Sequence, residues 1–544
     1  MIPAWRGARR RRGVLGLATI TAAAALLSAC VASPPEAAQG GSGGNSLNVT
    51  FGTGPTTLDP SSACTLDDTQ LTLSLYVQLL QYAEKDGPAG TKQVDPTKVD
   101  PYFAKDYSVS EDGTVYTFQL QEGWTFPSGE PMNAEAVKYS FERAMKMAGC
   151  GATIINDLYQ DPYLIKTIDA VNDTTLKITL NHPDGDFPLA LATAASSIVD
   201  PSVVEQNGGV VEAKPNEWMG SHEAGSGPYR LSAYTPGTEA TLTADPEFKG
   251  EAPATKTINV KWVKSDPTLL LQAREGQSDI TFGLSKNSAK SLENDEGLTV
   301  ASYMATSNMQ FLMPNDKEPW TNPLVREAVT YAIPYEDILK NVVYGYGKLY
   351  YGPIPPTMPG YAEQFSQPRK TDVAKAKQLM AQAGVSTPLD VQLDVLSGDS
   401  TQASLATVLQ STLKEIGINL SVRTLDESAW SDAVYNGKAT AALRLDGPAV
   451  FSAGYYLGYD EDCRSQYNTG HICVDGNSEL LATARAATDT GARDRALAQL
   501  TENWVGASPK AVLYLDGSPV VVNKSVTNFM WSPQIDMRTW TKSQ

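Results

Sequence analysis

Strand-like and helix-like segments alternate along most of the chain, and this alternation restricts the fold more than any other feature. Residues 114–120 and 257–263 alternate apolar and polar side chains, as half-buried strands do. Between such runs lie amphipathic segments with helix-start signals, for example Asn133 as an N-cap and Asn322 followed by Pro323. Chains of this kind build layered domains, so we predict an α/β fold.

The first residues of the chain have the pattern of an export signal. Residues 1–12 carry five arginines and no acid, and residues 14–27 are small or apolar and uncharged. This apolar run is shorter than the ~20 residues that span a bilayer. We therefore predict a secretion signal over residues 1–29. The arginine pair before residue 13 leaves both the general and the twin-arginine export routes open.

Residues 27–30, Leu-Ser-Ala-Cys, resemble the bacterial lipobox. The resemblance implies a diacylglyceryl group on Cys30, which becomes the new N-terminus after cleavage, and two acyl chains are enough for stable anchoring. Residues 30–46 are rich in Pro, Gly and Ser and cannot form a core, so we predict a flexible linker. The mature protein is expected on the outer face of the cytoplasmic membrane, at the cell surface or in the periplasm.

The remaining residues, about 500 of them, suffice for two or more packed lobes. The formal net charge of −18 argues against nucleic acid or an anionic membrane surface as a partner. We expect a monomer.

Four cysteines remain after Cys30: Cys64, Cys150, Cys463 and Cys473. An even number in an exported protein favours disulfides, and four cysteines allow three pairings. We favour Cys463–Cys473, which closes a short loop, together with Cys64–Cys150; free buried thiols are the alternative. The spacings and the three scattered histidines do not suit zinc, so no metal or cofactor is predicted.

Several segments together are similar to the solute-binding proteins of ABC importers, in the dipeptide, oligopeptide and nickel-binding family. They follow the family order at residues 56–60, 102–144, 225–231, 271–280, 322–347, 376–384 and 413–420. The resemblance implies a two-lobed periplasmic-binding-protein-like fold with hinge strands. It places lobe I at residues 46–282 plus 508–544, with an extra subdomain at about 90–190, and lobe II at residues 283–507.

The resemblance also implies a function. A solute, with peptides as the expected cargo, would be captured in the cleft between the lobes and delivered to ABC permease subunits in the membrane. In peptide-binding relatives an aspartate after an aromatic-rich strand pairs with the α-ammonium of the ligand, and Asp446 lies at the matching place. The relatives usually carry Trp where this chain has Leu443. Arg444 is a candidate partner for a ligand carboxylate, although an exposed arginine is the alternative.

Other ligand contacts are expected from two segments. Thr65, Asp67 and Asp68 lie in a loop that lines the cleft in relatives, although either acid is also a candidate cap for a helix over residues 69–83. Tyr455 and Tyr456 are candidates for the cleft wall, because aromatic rings bind apolar groups and their hydroxyls bind polar ones. A core role is the alternative for both tyrosines.

Three alternatives stay open. The same fold could bind a nickel chelate, an oligosaccharide or a siderophore-like molecule, or serve as a surface peptide sensor or chaperone. A secreted hydrolase is the remote alternative, since Ser411 and Lys414 fit the S-x-x-K pattern. No partner motif for that chemistry is present, and we expect no enzymatic activity.

Overall fold

The computed structural model describes residues 45–158, 162–465, 467–487 and 489–543. The predicted signal peptide, Cys30 and nearly all of the linker lie outside these ranges. Gly43–Gln544 forms one compact unit. Within the described ranges we find no helix that combines the length and the apolar character needed to cross a bilayer.

Strands and helices alternate as predicted. The strands are β1 Ser46–Phe51, β2 Leu80–Asp86, β3 Lys92–Pro101, β4 Ala104–Val109, β5 Val115–Leu120, β6 Ile165–Asn172, β7 Thr175–Leu180, β8 Tyr229–Thr235, β9 Glu239–Ala244, β10 Thr257–Trp262, β11 Ile280–Thr281, β12 Leu298–Leu312, β13 Gly347–Lys348, β14 Leu389–Leu396, β15 Ile418–Leu425, β16 Ala441–Asp446, β17 Ala511–Asn523, β18 Val526–Thr527, β19 Met530–Trp531 and β20 Thr541–Lys542. The helices are α1 Thr72–Leu75, α2 Ala134–Met147, α3 Cys150–Asn156, α4 Phe187–Ala190, α5 Pro201–Gln206, α6 Asp266–Arg274, α7 Lys286–Ser291, α8 Pro323–Ala332, α9 Tyr335–Asp337, α10 Val373–Ala383, α11 Ser400–Lys414, α12 Glu427–Tyr435, α13 Ala453–Asp460, α14 Asn477–Ala486 and α15 Thr490–Ala507.

Two long strands, β12 and β17, connect the halves of the main sheet. Its order is β15-β14-β16-β12-β17-β11-β1-β10-β9-β8, with β13 also paired to β17. The C-terminal end of β12, residues 308–312, pairs with β16. The C-terminal part of β17, residues 521–522, pairs with β11 at the other end of the β12–β17 pair. The register between β12 and β17 shifts between Met304 and Asn308. The predicted hinge strands are therefore these two. Lobe I and lobe II below denote the predicted ranges, whose exact boundaries remain a prediction.

A second sheet lies apart from the main one, within the range predicted for the extra subdomain. Its order is β4-β5-β7-β6. The helix α2 contacts β6 and β7, and buried Phe118, Phe141 and Ile178 belong to their common core. The predicted cap is present, since Asn133 Oδ1 accepts a hydrogen bond from the Ala136 amide at 3.2 Å.

The prediction of a helix over residues 69–83 is wrong. The chain there forms a 3₁₀ turn at Asp67–Thr69, the four-residue helix α1, and then strand β2. Residues 72–75 are all buried. A short run that is buried on every side carries no periodicity that could separate helix from strand, which explains the error.

Both favoured disulfides are present. Cys64 is bonded to Cys150 with a Cα–Cα distance of 5.2 Å, and Cys463 is bonded to Cys473 with a Cα–Cα distance of 4.9 Å. The first joins the loop after β1 to the start of α3, and the second closes a short loop in lobe II.

The two disulfides should differ in their contribution to stability. A C64S/C150S variant should lose about 2–4 kcal/mol of unfolding free energy, and a C463S/C473S variant should lose less, because loop entropy grows with loop length. The bonds span 86 and 10 residues. Urea denaturation of both variants and the parent under oxidising conditions measures the difference. An equal or reversed order would contradict the prediction.

Candidate functional site

A cavity of about 460 Å³ lies between the lobes, next to the crossover strands. Lys85 and Gln93 line it from lobe I, Thr306 from β12, and Phe451 from lobe II. Its volume is within the range of about 300–1,000 Å³ that is common for small-molecule sites.

Aromatic rings form much of the wall of this cavity. Tyr303 of β12 and Trp531 of β19 stack with ring centroids 4.9 Å apart and an interplanar angle of 1°. Phe451 lies 4.9 Å from the ring of Tyr82 and packs with Val94 from β3. Such faces suit the apolar parts of a solute, because they offer contact area without conformational freedom.

Asp446 is the last residue of β16, close along the sheet to the cavity but not part of its lining. Its partner in the sheet is Asn308, two residues beyond the cavity-lining Thr306. The side chain of Asp446 is buried, and Oδ1 accepts a hydrogen bond from Arg444 Nη2 at 2.6 Å. Oδ2 is buried and makes no hydrogen bond of ordinary geometry with the described residues, although the Tyr456 hydroxyl is close. Apart from the Tyr456 hydroxyl, Oδ2 has no donor among the described residues, so the carboxylate keeps a lone pair for a further donor.

Burial raises the pKa of Asp446, and Arg444 opposes this rise by favouring the charged carboxylate. Arg444 is itself buried, with an exposed fraction of 1%. Its Nη1 donates to Asp460 at 3.0 Å and to Thr469 at 2.8 Å. The alternative that Arg444 is an exposed arginine is thus excluded, because its guanidinium is buried inside lobe II.

A second cation extends this group of charges. Lys510, the residue before β17, contacts Asp460 and lies 2.7 Å from Glu461 Oε1. Trp504 of α15 donates from Nε1 to Glu461 Oε2 at 2.9 Å. We call Asp446, Arg444, Asp460, Lys510 and Glu461 the lobe II charge cluster. Burial raises the pKa of Glu461 to about 7.

A different set of ion pairs joins the two lobes. Arg485 of α14, in lobe II, contacts Asp157, which follows α3 in lobe I, and lies 3.1 Å from Asp184. Both acids are fully buried. Burial raises the pKa of Asp184 to about 6. The three side chains form the interlobe ion cluster, which only a closed arrangement of the lobes can make.

Asp186 strengthens this contact. Its carboxylate accepts a hydrogen bond from the Ser452 hydroxyl and lies 3.4 Å from Arg493 Nη1. Ser452 also caps α13 by accepting a hydrogen bond from the Tyr455 amide. The segment after Asp446 therefore reaches across the cleft and is held on lobe I.

A family model for bacterial extracellular solute-binding proteins, family 5 Middle, matches residues 98–468. The chain belongs to this family. It is 27% identical over 489 residues to the probable D,D-dipeptide-binding periplasmic protein DdpA of Escherichia coli K12, covering 89% of this chain and 90% of that protein. It is 28% identical to an E. coli glutathione-binding protein GsiB, covering 76% and 73%.

Solved structures share the fold of this family 5 protein. The periplasmic binding protein DppA of Helicobacter pylori, in complex with the peptide STSA, matches with a TM-score of 0.78 at 23% identity. The match covers 92% of this chain and 98% of that one. The two-lobed α/β fold predicted from the sequence is therefore confirmed.

The structure brings three of the predicted site residues together. Asp446, Arg444 and Tyr456 lie in one buried group, where the Tyr456 hydroxyl accepts hydrogen bonds from Asn308 and Gln310 at 3.1 and 3.2 Å. Tyr455 instead lies in the lobe I core cluster, with the Arg485 guanidinium 5.2 Å from its ring.

The acids of the predicted loop are used within that loop. Asp68 accepts hydrogen bonds from Thr56 and Thr65, and Asp67 accepts one from Thr53 at 2.6 Å. These bonds fix the loop that Cys64–Cys150 also holds. A contact of Thr65, Asp67 or Asp68 with ligand stays a prediction.

The sequence interpretation of this family 5 protein missed the interlobe ion cluster and Lys510. Asp157 and Arg485 are 328 residues apart, and Lys510 is 50 residues from Asp460. Each residue looks like an ordinary surface charge in its local sequence. Asp184 and Asp186 flank Gly185, a pattern typical of a turn, so no local signal could have found the pairing.

The raised pKa of Glu461 predicts how stability depends on pH. Between its ordinary value of 4.5 and about 7, the folded protein keeps a proton that the unfolded chain has lost, so stability falls as the pH rises. The Glu461→Gln side chain does not titrate. Between about pH 5 and about pH 8 the variant should therefore lose less unfolding free energy than the parent does, and the difference should reach about 3 kcal/mol. Urea denaturation at both pH values measures this, with exposed Glu415→Gln as the control. Identical pH dependence in E461Q and the parent would contradict the prediction.

Proposed function

We propose that this chain is the substrate-binding protein of an ABC importer and captures peptides in the cleft between its lobes. The observation that carries the proposal is the aromatic-walled cavity between the lobes, together with the buried carboxylate of Asp446, whose sheet partner Asn308 is two residues from the cavity-lining Thr306. Relatives named for D,D-dipeptide and glutathione binding, and the STSA complex of a protein with the same fold, support peptide cargo.

In the proposed complex, the α-ammonium of the peptide donates to Asp446 Oδ2. A closing cleft must replace the water around that charge with fixed partners, because an unpaired buried charge costs several kcal/mol. The rings of Tyr303, Trp531 and Phe451 then contact apolar side chains of the cargo. The charged end of the peptide thus meets a carboxylate, while its apolar side chains meet rings.

The lobes close around the peptide when it binds. Contacts of the peptide with both lobes favour the closed state, by no more than the difference in its affinity for the closed and the open state. No covalent bond of the peptide is made or broken. The closed, loaded form docks on the permease subunits, and a separate ATPase supplies the energy for transport.

We also propose that a lipid on Cys30 holds the protein at the outer face of the cytoplasmic membrane. Residues 31–46 then act as a flexible tether, because their composition gives a flexible chain. A binding protein tethered near its permease delivers cargo over a short distance. Mass spectrometry of the mature protein should show a diacylated N-terminal cysteine, which Cys30→Ala lacks.

Native mass spectrometry of the exported protein tests the cargo. We expect complexes heavier than the chain by the masses of peptides, and release of those peptides with unaltered covalent mass on denaturation. The Asp446→Asn variant should carry less peptide. A sugar or a metal chelate as the released molecule would overturn peptide as the cargo.

A further inference from the structure

The lobe II charge cluster is a continuous chain of five charged groups that alternate in sign. In the order of their contacts they are Asp446, Arg444, Asp460, Lys510 and Glu461. Arg444 contacts the first two acids, and Lys510 contacts the last two. Asp460 is the central member and touches both cations.

All five side chains are buried. Three carboxylates face two cations, so the fully ionised cluster carries one excess negative charge. Uncompensated charge in the interior is costly, because the desolvation penalty is several kcal/mol per ion. The cluster is therefore stable only if the excess charge is removed or paired.

Among the residues that the structure describes, the other groups packed against the cluster carry no positive charge. They are the phenols of Tyr350, Tyr435, Tyr456 and Tyr459, the indole of Trp504 and the hydroxyl of Thr469. Burial raises the pKa of Tyr350, Tyr456 and Tyr459 well above the ordinary value, so these phenols stay neutral at physiological pH.

The excess charge can be compensated at either end of the chain. At the Asp446 end, Oδ2 makes no hydrogen bond of ordinary geometry with the described residues, and it can accept a cationic donor in addition to the nearby Tyr456 hydroxyl. At the inner end, Lys510 is the one cation that pairs with Glu461 within the described part of the chain, and Glu461 can hold a proton instead. Burial alone would raise the pKa of Asp460, but Lys510 and Arg444 together hold it below the ordinary value, so the central acid keeps its charge.

We propose that docking of a cationic group on Asp446 is coupled, through Arg444, Asp460 and Lys510, to the release of one proton from Glu461. This inference rests on the proposed function, because the cation is the α-ammonium of the peptide. The O–H bond of the Glu461 carboxyl breaks, its proton goes to solvent, and its carboxylate pairs with Lys510. The buried charge is zero before docking, when Glu461 is protonated, and zero after it, when the ammonium is bound and Glu461 is ionised.

The coupling makes binding depend on pH in a defined direction. The complex holds one proton fewer than the free protein, so the affinity rises with pH, by up to about tenfold per pH unit below the pKa of Glu461. Cargo is therefore held tightly at neutral pH and more weakly in acid. Arg444 and Lys510 act here as positioning residues, since they transmit the effect without touching the cargo.

Titration calorimetry in two buffers tests the coupling. The probes are D-alanyl-D-alanine and the tetrapeptide Ser-Thr-Ser-Ala, at about pH 6.5, where an α-amino group of pKa about 7.7–8.0 stays protonated. A released proton is taken up by the buffer, so the observed heat in phosphate and in Tris should differ by the difference in ionisation enthalpy of the two buffers, for about one proton per bound peptide.

The variants distinguish proton release from Glu461 from proton exchange at other groups. E461Q should bind the same probe with equal heats in both buffers, and exposed Glu415→Gln should behave as the parent does. Equal heats for the unmodified protein would overturn the coupling and leave peptide binding intact. Absence of binding by both probes would overturn peptide binding itself. The two-buffer comparison on the unmodified protein needs no variant, so it decides the matter even if E461Q folds poorly.

Discussion

Replacing Arg485 by Met should destabilise the closed arrangement of the lobes by about 3–5 kcal/mol, the usual effect of removing one partner from a buried ion pair. Asp157 and Asp184 would then be buried without their cation, whereas in an open cleft water can reach them. The lobes should therefore separate more often. Peptide affinity should fall as well, because closure is part of binding.

Hydrogen exchange followed by mass spectrometry measures this loosening. Amides of α4 and α13, which lie next to the interlobe ion cluster, should exchange faster in R485M than in the parent. Arg464→Met is the matched control: Arg464 also lies in lobe II and pairs with Asp462, but its side chain is 74% exposed. Unchanged exchange in R485M would show that the cluster does not hold the lobes together.

Asp446→Asn should weaken peptide binding by about 2–5 kcal/mol, because it removes the charge that a buried ammonium requires. The substitution keeps the shape of the side chain. Arg444 keeps its contacts with Asp460 and Thr469, so the fold of lobe II should survive. Calorimetry with Ser-Thr-Ser-Ala measures the loss.

An N-acetylated form of the same peptide makes this test specific. Acetylation removes the ammonium, so it should weaken binding to the parent and have little further effect on D446N, as expected for two changes that remove one interaction. Asp432→Asn, at an exposed ion pair with Lys438, is the control for charge alone. Equal affinity of D446N and the parent would exclude Asp446 from the site.

The local features of the fold could be predicted from the sequence because their causes are local. The Asn133 and Asn322 caps are set by side chains that bond amides two or three residues away. Alternation of apolar residues marked the strands, and the family order of motifs implied the two lobes. The segment after Asp68 was harder, since its side chains are buried on all sides.

The electrostatics of the site could not be predicted in the same way. Arg444 is two residues from Asp446, yet whether it meets solvent or the interior depends on Asp460 and Lys510, which arrive from other elements. The same holds for Arg485, whose partners lie in the other lobe. A buried charge is recognised only when its counter-charges are placed in space.

Small-angle X-ray scattering of the protein with and without saturating Ser-Thr-Ser-Ala tests the central claim most directly. The account predicts that the radius of gyration decreases when the peptide binds, because the lobes close about β12 and β17 around the cleft. A radius of gyration that stays the same while calorimetry shows the peptide bound would contradict capture by closure.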